Sequence, residues 1–292
     1  MMSGDKSEWS DSQRKLALHI AALQSRGVLQ TRGSLQSRDT LQGRLPAEKP
    51  EAAPVVKTEN AEEKPGQEGR LNEGKRLFQL KRWENALKEF QLVDVDKADA
   101  GEQAELAYYL GLCYTKLERY DEAVLYLEQV VTSGSDPLRT YQCRMTLALI
   151  YIRTNRARMA EFELKRLKSA GFESAPMYNA MAFAAYTQKR YHQAIEYYEK
   201  TLEFDNNNAT AMNSMGYILA DRGFDTMKGL TLCRKALDIR PKNAAYMDSL
   251  GWAYYKCGKM TEARSWLQKA MDSAPKVNEI REHFRIVTGE AV

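Results

Sequence analysis

From about Gln67 onward, small residues recur at a nearly fixed spacing: Gly74, Gly111, Ala148, Ala182, Gly216 and Gly251 are separated by 37, 37, 34, 34 and 35 residues. A period of about 34 with short insertions marks stacked supersecondary units, none of which can cover its own apolar face alone. A second small residue follows twelve or thirteen positions after each of these: Ala86, Ala123, Ala160, Ala194, Gly229 and Ala263. Large apolar residues at helical spacing surround these pairs. Each unit therefore reads as two amphipathic helices packed antiparallel, with the small residues letting the two backbones approach closely.

The last copy is the clearest, with Met247, Leu250, Gly251, Tyr254, Ala263, Leu267, Ala270 and Pro275 in order. It resembles the tetratricopeptide repeat (TPR) pattern of large-x-x-Leu-Gly-x-x-Tyr, Ala-x-x-x-Phe and a closing Pro, whose period is also 34. The second, fourth and fifth copies match through Leu110, Gly111 and Tyr114, through Met181, Ala182 and Tyr198, and through Met215, Gly216 and Pro241. The third keeps Leu147, Ala148, Tyr151, Ala160 and Leu164 but has no closing Pro, and the first places Arg70 and Glu73 where large apolar residues are expected. The resemblance implies an all-α, right-handed α-solenoid of about six helix-turn-helix repeats over residues 67–292. The repeats fall near 67–103, 104–140, 141–174, 175–208, 209–243 and 244–277. A capping helix over 277–287 carries Val277, Ile280, Phe284 and Val287 inward and Glu279, Arg281 and Glu282 outward. The fifth repeat has one extra residue, in the turn from Asp221 to Asp225. Its Gly229 stands where Ala is usual and predicts a locally soft unit.

Residues 1–66 differ in kind. Beyond a short amphipathic stretch around Ser12 to Ser25, a hexad recurs four times, starting at Leu23, Leu29, Leu35 and Leu41: LQSRGV, LQTRGS, LQSRDT and LQGRLP. Six residues per repeat scatter the leucines around a helix, and the glycines oppose a stable strand, so residues 23–46 read as disordered low complexity. The Pro-, Glu-, Lys- and Ala-rich stretch that follows reads as a solvated linker.

The formal charge of +4 is too small to imply a nucleic-acid or membrane-surface partner. Between Arg14 and Arg44, however, six basic residues face one Asp. A second reading therefore has this arm touching phosphate backbones or an anionic surface; the absence of aromatics for base stacking disfavours nucleic acid. A third has the Leu-Gln-x-Arg hexads docking in the groove of their own chain. Cys113, Cys143, Cys233 and Cys257 form no Cys-x-x-Cys pair and read as reduced packing thiols, with no metal or cofactor implied. His19, His192 and His283 belong to no catalytic motif, and neither a phosphate loop nor a nucleophile elbow is present, so an enzyme and a small-molecule substrate are both disfavoured. No apolar run is long enough for membrane insertion. Leu16 to Leu23 makes a poor signal segment, and without a lipobox Cys the expected location is cytoplasmic, moving to the periplasm or envelope if the true start lies upstream.

In TPR arrays, positions 2, 5, 9 and 12 of the first helix of each repeat line the concave groove. Carried onto this register, the resemblance implies a groove that includes Tyr108, Asn179, Phe183, Tyr186, Asn213, Tyr217, Asp248, Trp252 and Tyr255. Aromatic anchors and amides of this kind suit an extended peptide, and Asn179 and Asn213 share one register and could form an amide ladder. The competing reading buries Phe183, Tyr217 and Trp252 against neighbouring repeats or the cap. The Lys and Asn pair with which some TPR domains clamp a chaperone's terminal carboxylate is missing, since the matching positions hold Tyr108 and Leu112, Met145 and Leu149, or Asn179 and Phe183. The function expected is a non-enzymatic scaffold or adaptor holding a protein or peptide partner in the groove. A role in cell-envelope or secretion-associated assembly is the alternative, because the fifth and sixth repeats look like those of bacterial TPR proteins. Self-association through an exposed end stays open.

Overall fold

The computed structural model describes residues 67–134 and 136–289. The readings of 1–66, including the hexads and the stretch around Ser12, lie outside the described residues. Among those residues the structure is all-helical, with thirteen α-helices and one 3-10 turn over Val95–Lys97. They divide into two compact units. The first holds α1 (Gln67–Gln79), α2 (Trp83–Gln91), α3 (Ala100–Lys116) and α4 (Tyr120–Ser133). The second holds α5 (Pro137–Arg153), α6 (Ala157–Ser169), α7 (Ala175–Thr187), α8 (Tyr191–Phe204), α9 (Ala209–Asp221), α10 (Thr226–Ile239), α11 (Ala244–Lys256), α12 (Met260–Ser273) and α13 (Asn278–Thr288). Each unit stacks antiparallel helix pairs, and the second ends in α13, which packs against both α11 and α12.

The two helices of a pair start and stop by different chemistry. The first helices are capped by side chains that satisfy the orphan N–H groups of the opening turn: Asp99, Asp136, Ser174, Asn208 and Asn243. Asp99 and Glu102 form a capping box that begins α3 at Ala100, and Asp136 with Pro137 begins α5 just as early, so both helices run a turn longer than their repeats require. The turn to the second helix has one geometry throughout. A residue with left-handed backbone, Lys81, Glu118, Asn155, Lys189, Gly223 or Gly258, follows the first helix. In five of the six hairpins the next residue donates back to the carbonyl five positions earlier, as Arg190 N–H does to Ala185 O at 2.9 Å. The fifth hairpin holds the extra residue here: Phe224 is interposed, Asp225 makes the outer bond to Leu219 O at 3.3 Å, and the Asp225 side chain caps α10 at Lys228 N–H.

The weak matches also form helix pairs, although α2 is short at 9 residues. In the first pair, Leu71, Leu77, Ala86 and Phe90 are buried while Arg70 pairs with Glu89 at 3.7 Å. In the third, where no proline closes α6, Gly171 turns left-handed and Phe172 N–H bonds Leu167 O at 3.1 Å.

Gly229 sits at a close backbone crossing. A Cβ placed there would lie 2.7 Å from the Gly216 carbonyl oxygen and 2.8 Å from Ala220 N, and one on Gly216 would lie 2.8 Å from Gly229 O. Two glycines face each other where α9 crosses α10, so the backbones meet with no side chain between them. The propensity cost of a helical glycine is local, whereas the closer approach is shared by both helices. The thiols read as packing groups are free in the structure. Cys113, Cys143 and Cys233 are buried, and burial pushes the Cys113 and Cys143 pKa values up to about 12, far from a reactive thiolate.

Candidate functional site

The groove residues of the second unit come from α7, α9 and α11, because a helix presents positions 2, 5, 9 and 12 along one face. Their exposure differs sharply along the stack. On α7, Phe183 is 39% exposed, Asn179 and Tyr186 are half-buried, and the Phe183 and Tyr186 rings lie 6.3 Å apart. One pair earlier, on α5, Leu149 and Ile152 are also only partly covered. On α9 and α11 the same register closes: Asn213, Asp248 and Trp252 are buried, while Tyr217 and Tyr255 keep part of their surface. In the first unit, Tyr108 is half-buried with its ring 5.3 Å from that of Tyr109.

The closure is built by α13. Ile280, Phe284 and Val287 are buried, Phe284 and Val287 in the same core as Leu250, Trp252 and Leu267. This anchors the helix and turns its 279/283 face toward the groove. His283 Nδ1 lies 2.9 Å from Asp248 Oδ2, with both side chains buried. Trp252 stacks on the His283 ring at 4.1 Å and 17°, and its Nε1–H donates to Asp221 Oδ1 at 3.0 Å. Asp221 in turn meets Arg222 at 2.9 Å and Lys256 at 3.7 Å. Tyr217 completes the enclosure, 6.0 Å from His283.

The electrostatics follow from this crowding. Burial alone would lower the His283 pKa, but the Asp248 hydrogen bond and the charges of Asp248, Glu279 and Asp221 outweigh it and hold the pKa above its ordinary value. Glu279 is solvent-accessible, yet desolvation and the charge of Asp248, with smaller effects from Glu282 and Asp221, raise its carboxyl pKa against the opposing pull of His283. Burial, followed by the charge of Glu279, raises the Tyr186 phenol.

The floor carries an unusual row. Asn179 Oδ1, Asn213 Oδ1 and Asp248 Oδ1 occupy one register in three successive pairs, and among the described residues no donor reaches any of them. The direct Asn179 to Asn213 ladder is not formed; Asn213 Nδ2 instead donates to Ser249 Oγ at 3.1 Å. His283, Asp221 and Glu279 are site residues that the repeat register does not point to, since two lie on the cap and one at the last turn of α9. A sequence signal existed for the cap pair: Glu279 and His283 are four apart and flank the stripe of Ile280, Phe284 and Val287, so they border the buried face.

Sequence models described as tetratricopeptide repeat match residues 71–137, 175–208 and 243–284. A TPR repeat-containing protein of Pseudomonas aeruginosa, PA4667, is 36% identical over 90 residues, covering 30% of this chain and 15% of that protein. The Photosystem I assembly protein Ycf3 of Prochlorococcus marinus (strain MIT 9211) is 30% identical over 125 residues, which is 39% of this chain and 72% of that protein. The chain thus spans only a small part of the Pseudomonas relative. Among solved structures, a crystal structure of MamA superposes with a TM-score of 0.51 at 19% identity, over 66% of this chain and 98% of that one. A chain of the APC/C hetero-tetramer Cut9-Hcn1 gives a TM-score of 0.60 at 10% identity, over 76% of this chain and 42% of that one. At these identities the structural likeness concerns the fold. Among the described residues no helix is long and apolar enough to cross a membrane.

Proposed function

The chain belongs to the tetratricopeptide repeat family, and from that premise we propose that it is a non-enzymatic adaptor whose open groove half, over α5 and α7, holds a segment of a protein partner. The observation that carries this reading is Phe183. It is a large aromatic left 39% exposed at a register where the equivalent Trp252 is buried, and it lies beside the half-buried Tyr186. Exposed apolar anchors suit a segment that brings an apolar side chain. Catalysis has no support in the buried Asp248–His283 pair, whose ring is covered by Trp252 and whose geometry pins a helix. The assembly role named for the cyanobacterial relatives is consistent with an adaptor that holds components together.

Affinity capture from the native cell tests the reading, with full-length protein beside a Phe183→Ala/Tyr186→Ala variant of unchanged helical content. Partners held by the full-length chain and lost from the variant support it. Equal capture by both proteins moves the interface off this groove.

A further inference from the structure

The second helices of the third and fourth repeats, α6 and α8, carry opposite charge on their solvent faces. On α6, Arg158, Phe162, Lys165, Arg166 and Ser169 are exposed and fall on one stripe. Both acids of this helix are drawn away from it: Glu163 is buried against Arg144 at 2.6 Å, and Glu161 bonds Arg190, the residue before α8, at 2.5 Å. The stripe is therefore basic with no exposed acid, and it leaves Phe162 54% exposed with Met159 one turn before it. On α8 the corresponding stripe exposes Glu196, Glu199, Lys200 and Glu203, with Phe204 exposed at its end. Lys200 pairs with Glu203 at 2.8 Å and Glu199 with Lys228 of α10 at 3.2 Å, exposed contacts that hold little energy and exchange partners easily.

The reversal runs position by position. Residues 162 and 196, 165 and 199, and 169 and 203 are each 34 apart, so they hold equivalent places on helices that run the same way in successive repeats; Phe, Lys and Ser on α6 give way to three Glu on α8. The Glu161 to Arg190 bond keeps the two helices side by side. A lipid or nucleic-acid phosphate surface laid on α6 would meet the acids of α8 within a Debye length, so a stripe one helix wide fits it poorly. A second copy of the chain uses both stripes. A twofold axis running between α6 and α8, along their length, lays α6 of each copy on α8 of the other. Lys165 then faces Glu199 of the second copy, and Arg158 and Arg166 lie within a turn of its Glu196 and Glu203. An axis across the helices would instead set α6 on α6, base on base, which repulsion disfavours. The face measures about 20 Å along the helices and about 20 Å across them, so pairing two copies buries roughly 800–1,000 Å² in total, the size of a weak and transient complex.

We propose that the chain forms a weak, salt-sensitive twofold dimer through the outer faces of α6 and α8. The interface uses no groove residue, so it stands apart from the groove reading above.

Sedimentation equilibrium of the full-length chain tests it. At about 100 μM and low salt the weight-average mass is expected to rise from 33.3 kDa toward twice that value, and to fall back as added salt screens the interface. Reversing the basic stripe (Arg158→Glu/Lys165→Glu/Arg166→Glu) or the acidic one (Glu196→Lys/Glu199→Lys/Glu203→Lys) should weaken dimerisation by about tenfold or more. An equimolar mixture of the two variants should restore it, because each chain then meets opposite charge at both helices. Circular dichroism checks helical content, and Lys165→Glu with Glu199→Lys repeats the cycle if a triple variant loses it. A parent that stays monomeric, variants that associate as the parent does, or a mixture that stays monomeric overturns the proposal. A monomeric parent that binds phosphatidylglycerol vesicles through Arg158, Lys165 and Arg166 overturns it too, and assigns the basic stripe to lipid.

Discussion

Phe183 and Trp252 hold the same register two helix pairs apart, as do Asn179 and Asp248. Phe183 borders open groove and makes only a loose ring contact with Tyr186, whereas Trp252 is stacked on His283 and hydrogen-bonded to Asp221. The difference comes from neither residue's own helix. It comes from α13, which packs on α11 and α12 and, among the described residues, covers Trp252 but not Phe183. Register alone therefore tells which side chains face the groove and not whether the groove is free.

That contrast can be broken most forcefully at Trp252. Trp252→Ala removes a buried stack and should cost about 3–5 kcal/mol in urea unfolding. If it costs under 1 kcal/mol, the closed half is not closed. Next comes the glycine crossing that fixes α9, the helix carrying Asn213, Tyr217 and Asp221. Gly229→Ala pushes a methyl against the Gly216 carbonyl and should cost about 1–3 kcal/mol by calorimetry. A neutral result would restore the reading of Gly229 as a mere weak point.

A pH series sharpens the comparison further. The Asp248 hydrogen bond and the charges of Asp248, Glu279 and Asp221 raise the His283 pKa against burial, with Tyr217 and Trp252 walling the ring. Because its folded pKa lies above the unfolded value near 6.5, the stabilisation is fully present below that pH and is lost as pH rises through the raised value. The urea midpoint should fall over that interval in the parent protein and stay flat there in His283→Gln. Phe183→Ala closes the series with the smallest expected effect on stability, within about 0.5 kcal/mol. A larger loss would mean that the open half is packed after all.

The fold was legible because its determinants are local and repeated. Gly111, Gly251, Ala123 and Ala263 fall where backbones cross, and each copy supports the reading of the next. The candidate site was legible only as far as that period extends. Asn179, Phe183 and Tyr186 share one face of α7, and only Phe183 is exposed. Asp248 and Trp252 are buried, and their surroundings depend on the direction α13 takes after Pro275, which no period encodes. The partner of Asp248 lies 35 residues away, on a helix outside the repeat. The close approach of Gly229 to Gly216 was hidden for a related reason, since propensity is a property of one helix and this approach belongs to two.

Because the left-handed turn recurs at one register, with the same back-bond in five of the six hairpins, most of these hairpins are interchangeable cassettes. Tandem duplication of a 34-residue stretch would lengthen the array with turn chemistry already tested in its neighbours. The fifth hairpin stands outside that economy: Phe224, the Asp225 cap and the paired glycines would have to be copied together. Recombination within this array should accordingly leave the fifth hairpin whole, and shuffled libraries whose crossovers fall between Gly216 and Gly229 should be the ones depleted of folded members.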